Sequence, residues 1–136
     1  MPYNDLRKGR ISQLGMVYHI TTVTRGRVPY FASLDNGRKL VRELMLLQRE
    51  GKVETLCYVV MPDHLHWLMV LLDGELAEVV RLLKGRTAHA MGQSVWQANY
   101  FDHVVREDED MRKMARYIVA NPLRAGLVER IENYSL

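Results

Sequence analysis

The sequence predicts an α+β fold, a ferredoxin-like β-α-β-β-α-β sandwich with an antiparallel sheet, followed by a C-terminal helix. Strand-like and helical segments alternate along the chain in that order. The second and third strands are separated by Pro62-Asp63, a turn signal that indicates a tight antiparallel hairpin. With 136 residues, the length is typical of one domain, so we expect residues 1–136 to share one core, with residues 1–15 as a basic N-terminal arm.

The first half of the chain supplies a strand and a helix. From Gly15 to Thr24, β-branched and aromatic residues alternate, a pattern typical of a strand. Ser33 is a plausible N-cap of the helix that follows, and Gly51 is a typical C-terminal stop. The apolar stripe of this helix consists of Leu40, Leu44 and Leu47.

The second half completes the pattern. Val53 to Met61 and His64 to Leu72 are the second and third strands, and a fourth strand lies within Val95 to Val105. A helix opens after Asp73-Gly74, with Leu76, Val79, Val80 and Leu83 as its buried stripe. Asp108 is the expected cap of the last helix, which Asn121-Pro122 should end, because the residue before proline disfavours helix.

Composition narrows the class of protein. Hydrophobic residues make up 48% and charged residues 26%, which is ordinary for a soluble globular protein. We find no apolar run long enough to span a bilayer and no secretory segment at the start, so the expected location is the cytoplasm. Cys57, the one cysteine, lies in an apolar strand and is interpreted as a small buried residue in a reducing compartment.

The net charge of +3 is mild, and the distribution of basic residues is more informative than the total. Acidic residues concentrate at 107–110, where they complement the start of a helix. The basic residues elsewhere are candidate phosphate contacts, although the ordinary interpretation of such residues on a helix is a solvated face. These candidates are Arg7, Lys8, Arg10, Arg25, Arg27, Lys84 and Arg86.

His64-Leu65-His66 is the most informative motif. Two histidines one residue apart on a strand point to the same face, with Cβ atoms roughly 6–7 Å apart. If the two side chains lean toward each other, they could bind one metal ion. A single histidine on a strand, however, is usually a hydrogen-bonded structural residue. Two ligands do not complete a site, so a third is required.

Tyr117 and Asn121 lie four residues apart, which places both on one face of a helix. The amide oxygen of Asn121 suits Mg²⁺ or Mn²⁺ and makes it a candidate third ligand; alternatively, it merely ends the helix before Pro122. Tyr117 is either a nucleophile, activated when a metal polarises its target, or an amphipathic residue at the edge of the core. Trp96, Tyr100 and Phe101 could stack bases, but strand aromatics are more often core.

Taken together, these motifs resemble the single-tyrosine HUH transposases of the IS200/IS605 kind, and most closely their domesticated relatives, the REP-associated tyrosine transposases. The resemblance covers nearly the whole chain. A histidine pair followed at this distance by a Tyr-x-x-x-Asn-Pro helix is more specific than the pair alone. The segments that carry it are Leu6–Arg10, Tyr18–Thr21, Val60–His66, Phe101–Arg106 and Tyr117–Val128.

The resemblance implies a metal-dependent endonuclease and strand transferase that cuts single-stranded DNA beside hairpins such as REP-like palindromes. His64 and His66 match the metal ligands, and Asn121 stands where IS200/IS605 enzymes carry glutamine. Tyr117 matches the nucleophile that forms a 5′-phosphotyrosine link. The expected cofactor is Mg²⁺ or Mn²⁺, and the expected location is at the nucleoid. The family includes dimers and monomers, and both remain open.

Two rival functions remain at this stage. One is a module that binds hairpin nucleic acid without cutting it, and the other is a domesticated transposase that has lost activity. Tyr117 together with both histidines argues against a pure binding module, which has no use for that set.

Overall fold

A computed structural model of the protein describes residues 12–106, 112, 113, 115 and 116. The elements follow one another in the order predicted from the sequence. They are strand β1 (Val17–Val23), two short 3-10 turns (Arg25–Arg27 and Tyr30–Ala32), helix α1 (Leu34–Arg49), strands β2 (Val53–Met61) and β3 (His64–Leu71), helix α2 (Leu76–Met91) and strand β4 (Phe101–Val105).

The four strands form one antiparallel sheet in the order β2-β3-β1-β4. β1 therefore lies inside the sheet and pairs antiparallel with both β3 and β4. Met61 pairs with His64 across the Pro62-Asp63 turn, so the predicted tight hairpin is confirmed. The register also places Thr21 directly opposite His66, which brings β1 beside the histidine motif.

Helices α1 and α2 cover one face of the sheet and bury the main core. Both predicted apolar stripes are confirmed, since each leucine and valine named for them is buried. Trp67 from β3 is fully buried among them, and its indole N–H donates to the Thr55 hydroxyl at 2.9 Å. The sheet alternates inward and outward residues, so the side chains of even-numbered β1 residues such as Tyr18 and Ile20 belong to this core.

The predicted helix ends are also confirmed, with one small shift. The Ser33 hydroxyl accepts a hydrogen bond from the Asn36 backbone N–H at 3.3 Å, and Gly51 adopts a φ of +75° just after α1. α2 begins at Leu76 after Glu75, slightly beyond the expected Asp73-Gly74 opening. Within the described part of the chain, we find no helix long and apolar enough to cross a membrane.

The opposite face of the sheet carries a smaller apolar cluster built on Val59, Leu68 and Val105. Half-buried Cys57 contributes to it, and burial raises the pKa of its thiol to about 11, in keeping with an unreactive structural residue. Ala115 packs against the same cluster, and the described residues from 112 to 116 are helical, as predicted. The expected helix cap at Asp108 and the helix end at Asn121-Pro122 lie outside the described residues.

Candidate functional site

His64 and His66 lie on the face of the sheet that α1 and α2 leave uncovered. Their ring centroids are 4.9 Å apart and their planes are nearly perpendicular, at 87°. This juxtaposition follows from the two-residue repeat of β3, as the sequence predicted. His64 is half-buried, whereas His66 is only 8% exposed. The two rings therefore form one group with a solvent-facing member and a buried member.

The inner nitrogen of His66 is held by two side chains from β1. Its Nδ1 lies 3.1 Å from Nε2 of His19 and 3.3 Å from the hydroxyl of Thr21. Burial, together with the neighbouring His64 and His19 rings, lowers the pKa of His66 from its ordinary 6.5 to about 4. His66 is accordingly a neutral imidazole at pH 7, which is the form that binds metals.

His19 is a site residue that the sequence analysis missed. It is buried on β1, and its ring centroid lies 5.2 Å from that of His66. Burial lowers its pKa, with a further contribution from His103, its cross-strand partner on β4. Period-two alternation puts His19 and Thr21 on one face of β1, but only the β1–β3 register shows that this face carries His66.

Asp63 organises the other side of the pair. Its carboxylate accepts from Nδ1 of His64 at 2.7 Å and from the Arg27 guanidinium at 3.0 Å. Burial alone would raise the pKa of Asp63, but the hydrogen bonds from His64 and Arg27 bring it below its ordinary value. The Thr24 backbone N–H and hydroxyl both donate to the Asp63 carbonyl, at 2.9 and 3.1 Å, and hold the turn in place.

These contacts suit a divalent cation bound by the two histidines. Nδ1 of each ring already has a protein partner, so a metal would be bound through Nε2. A metal-binding histidine commonly has its other ring nitrogen held by a hydrogen-bonding partner, as Asp63 does for His64. Among the described residues, no group of three or more His, Cys, Asp or Glu side chains is placed to hold a metal. The predicted third ligand, Asn121, lies outside them, as does the predicted nucleophile Tyr117.

Each basic candidate that the structure describes has a partner within the chain. Arg27 pairs with Asp63 while its side chain remains 64% exposed. The Arg25 side chain donates to the Ser94 carbonyl at 3.2 Å, and Arg86 pairs with Glu50 at 2.9 Å. Lys84 donates to the backbone carbonyl of Gln97 at 2.7 Å and to those of the two following residues. The N-terminal candidates Arg7, Lys8 and Arg10 lie outside the described residues.

Trp96, Tyr100 and Phe101, the aromatic residues at and just before the start of β4, occupy different environments. Tyr100 is buried in the main core, and Trp96 packs on Phe31 with ring centroids 5.3 Å apart. Both line an open groove of about 480 Å³ beside α2, which none of the site histidines lines. Phe101, in contrast, is 60% exposed. It pairs with Thr21, which puts its side chain on the same face as His66, about 10 Å away across two strand spacings.

Comparison with known proteins identifies the family. The model of the family described as "Transposase IS200 like" matches residues 12–121. The chain is 28% identical over 94 residues to the REP-associated tyrosine transposase of Escherichia coli K12. The matched region covers 67% of this chain and 57% of that protein. The chain is also 26% identical over 98 residues to a Haemophilus influenzae protein assigned provisionally to the same group, covering 60% of this chain and 56% of the relative. The chain thus spans little more than half the length of the curated relatives it matches.

A solved structure gives the same answer for the fold. It is the structure of a REP-associated tyrosine transposase bound to a REP hairpin, with a TM-score of 0.76 and 25% sequence identity. The superposition covers 92% of this chain and 77% of the other. The family match extends over most of the sequence and includes the histidine pair, Tyr117 and Asn121. The chain belongs to the IS200-like transposase family and is similar to its REP-associated tyrosine transposases.

Proposed function

We propose that this protein is a metal-dependent single-strand DNA endonuclease and strand transferase that acts beside DNA hairpins. The observation that carries the proposal is the His64–His66 pair, whose rings lie edge to face with Nδ1 of each engaged by another side chain. A structural histidine pair does not require Nδ1 of both rings to be held by a partner while the rings share one face of the sheet. A metal site does.

The metal would be Mg²⁺ or Mn²⁺, held by His64, His66 and Asn121, and when bound it would polarise the phosphate and orient it for attack. Imidazole and amide oxygen ligands both suit Mn²⁺. The protein's part is to keep the ligands in place. Asp63 orients the His64 ring, and the paired strands β1 and β3 fix the positions of both histidines.

Tyr117 would be the nucleophile. Its phenolic oxygen forms a bond to phosphorus as the bond from phosphorus to the 3′ oxygen breaks, which leaves a 5′-phosphotyrosine and a free 3′-hydroxyl. The phenol proton passes to water, and the 3′ oxygen takes a proton from water. Ala115, two residues earlier, packs on the apolar cluster of the site face, so the chain shortly before Tyr117 in sequence lies on the same side of the sheet as the histidines.

The proposed substrate class rests on the similar transposase whose structure contains a bound REP hairpin. We propose a DNA hairpin with a single-stranded flank as the partner, bound through the basic candidates and through the exposed ring of Phe101. Because phosphate contacts release counterions, binding should weaken with salt, by somewhat under one unit of logarithmic slope for each contact.

The test is formation of a covalent protein–DNA adduct with labelled hairpins that carry a single-stranded flank. The wild-type chain should form the adduct with Mn²⁺ and lose it in excess EDTA. Tyr117→Phe should bind the hairpin equally well but form no adduct. Tyr30→Phe is the matched control, because Tyr30 packs on the main core, and it should behave as wild type.

Two results would reject the proposal. One is an adduct that persists in Tyr117→Phe, and the other is full cleavage in excess EDTA. Hairpin binding by the wild-type chain without any adduct would instead support a module that binds DNA and does not cut it.

A further inference from the structure

We propose that His19 is a positioning residue for the metal site. It accepts a hydrogen bond from Nδ1–H of His66 and so keeps a lone pair on Nε2 of His66 for a divalent cation. This inference rests on the proposed function, since it concerns the same metal. His19 is buried and belongs neither to the His64-Leu65-His66 motif nor to the segment that contains Tyr117.

The geometry leaves two arrangements. A distance of 3.1 Å between Nδ1 of His66 and Nε2 of His19 is a hydrogen bond, and a single hydrogen lies between the two nitrogens. If His19 donates, the hydrogen of neutral His66 resides on Nε2, where it blocks a metal. If His66 donates, Nε2 carries the lone pair and His19 carries its own hydrogen on Nδ1. The tautomers of the two rings are therefore linked.

Asp63 fixes the tautomer of the other histidine of the pair, His64. An ionised carboxylate can only accept, so its 2.7 Å contact requires His64 to carry a hydrogen on Nδ1. Among the described residues, the partners of the corresponding nitrogen of His66 come from β1. They are His19 and, at 3.3 Å, the Thr21 hydroxyl, a second group able to accept from the same nitrogen. A donating Nδ1–H on both rings gives two Nε2 lone pairs on one face, as a shared metal requires.

The contact is built into the sheet. β1 and β3 pair antiparallel, with Thr21 opposite His66 and His19 opposite Leu68. The His19 side chain therefore lies on the site face, two residues along β1 from the position opposite His66. The two rings are tilted by 33°, with centroids 5.2 Å apart. Since both are buried within paired strands, neither can turn away without breaking the packing of this face.

Two substitutions at His19 separate the hydrogen bond from simple packing. In His19→Gln, the side-chain carbonyl can take the place of Nε2 as acceptor. In His19→Phe, the ring is kept and the acceptor is lost. The matched control is His103→Phe, because His103 is the exposed β4 partner of His19 and has no direct contact with His66 among those described.

The first readout is the tautomer of His66 in the metal-free protein, measured by ¹⁵N NMR of the imidazole nitrogens. We expect the Nδ1–H form in wild type, in His19→Gln and in His103→Phe, and a shift toward the Nε2–H form in His19→Phe. The second readout is calorimetric Mn²⁺ affinity, with melting curves to show that each variant is folded. His19→Phe should bind Mn²⁺ roughly ten- to a hundredfold more weakly than wild type, with His19→Gln close to wild type.

The proposal is overturned if metal-free wild type carries the His66 hydrogen on Nε2. It is equally overturned if folded His19→Phe keeps both the wild-type tautomer and the wild-type Mn²⁺ affinity. If His19→Phe does not fold, the proposal is tested by the tautomer of His66 in the wild-type protein and by the Mn²⁺ titration of His19→Gln. The tautomer measurement needs neither DNA nor metal, so its outcome is distinct from failure of the proposed cleavage reaction.

Discussion

Acidification should destabilise the metal-free protein through His66. In the folded chain the pKa of His66 is about 4, against an ordinary value of 6.5. Between these values the unfolded chain binds a proton at this position and the folded chain does not. Stability therefore rises with pH across this window and is lost as pH falls from about 6.5 toward 4. The pKa of His19 is also lowered, so its contribution has the same sign.

The size of the effect follows from the pKa difference. A difference of about 2.5 units at about 1.36 kcal/mol per unit gives a ceiling of about 3 kcal/mol lost from His66 between pH 7 and pH 4. Residual exposure of the ring and relaxation of the fold reduce the measured value below this ceiling. Even half of it is a large share of the 5–15 kcal/mol typical of small domains, in order of magnitude.

The assay is urea unfolding in EDTA at several pH values, for wild type and for His66→Gln. Glutamine at this position keeps a polar partner for His19 but does not titrate. The difference in unfolding free energy between the two proteins should shrink steadily from pH 7 to pH 4 as wild type loses stability. Parallel pH profiles for the two proteins would refute the claim that His66 is buried in its neutral form.

Three further predictions address the site and the core. Asp63→Asn should weaken Mn²⁺ binding roughly ten- to a hundredfold by calorimetry, because the His64 ring loses its carboxylate, whereas Asp35→Asn at a surface pair should have no effect. Phe101→Leu should weaken binding of a hairpin with a single-stranded flank about fivefold or more, measured by fluorescence, and Phe101→Trp should bind nearly as wild type. An equal loss of affinity for a hairpin without the flank would contradict base stacking. Thr55→Val should lower the free energy of unfolding by about 1–3 kcal/mol, because the buried Trp67 N–H loses its acceptor; an unchanged urea midpoint would show that the bond is not needed.

Much of the fold was predictable because its signals are local. Pro62-Asp63 sets a hairpin turn, Ser33 caps a helix through its own hydroxyl, and apolar residues at helical spacing mark the buried stripes. The start of α2 was predicted at Asp73-Gly74 but lies at Leu76, because this boundary lacks such a local signal. Glu75 supplies no side-chain cap, so no local signal marks the boundary.

The candidate site was predictable only in part, because the residues that the sequence analysis missed are brought to it by pairing between strands that are distant in sequence. His64 and His66 share a strand, so their common face follows from alternation. His19 is far from them in sequence, and nothing local distinguishes it from the neighbouring polar residues of β1. Only the strand register brings it to His66. The aromatic residues show the same limit, since adjacent Tyr100 and Phe101 differ in burial only because the fold turns one into the main core and the other to the site face.

The topology bears on the order in which the proposed site residues occur in the sequence. Each β-α-β unit places its helix on the same face of the sheet, so α1 and α2 together bury that face. The opposite face, with the histidines, is left by these helices to solvent or to chain that precedes β1 or follows β4. β4 lies next to β1 at an edge of the sheet, and Ala115 beyond it already packs on Val59, Leu68 and Val105. Tyr117 and Asn121, which we propose as nucleophile and third ligand, follow shortly after this point in the sequence.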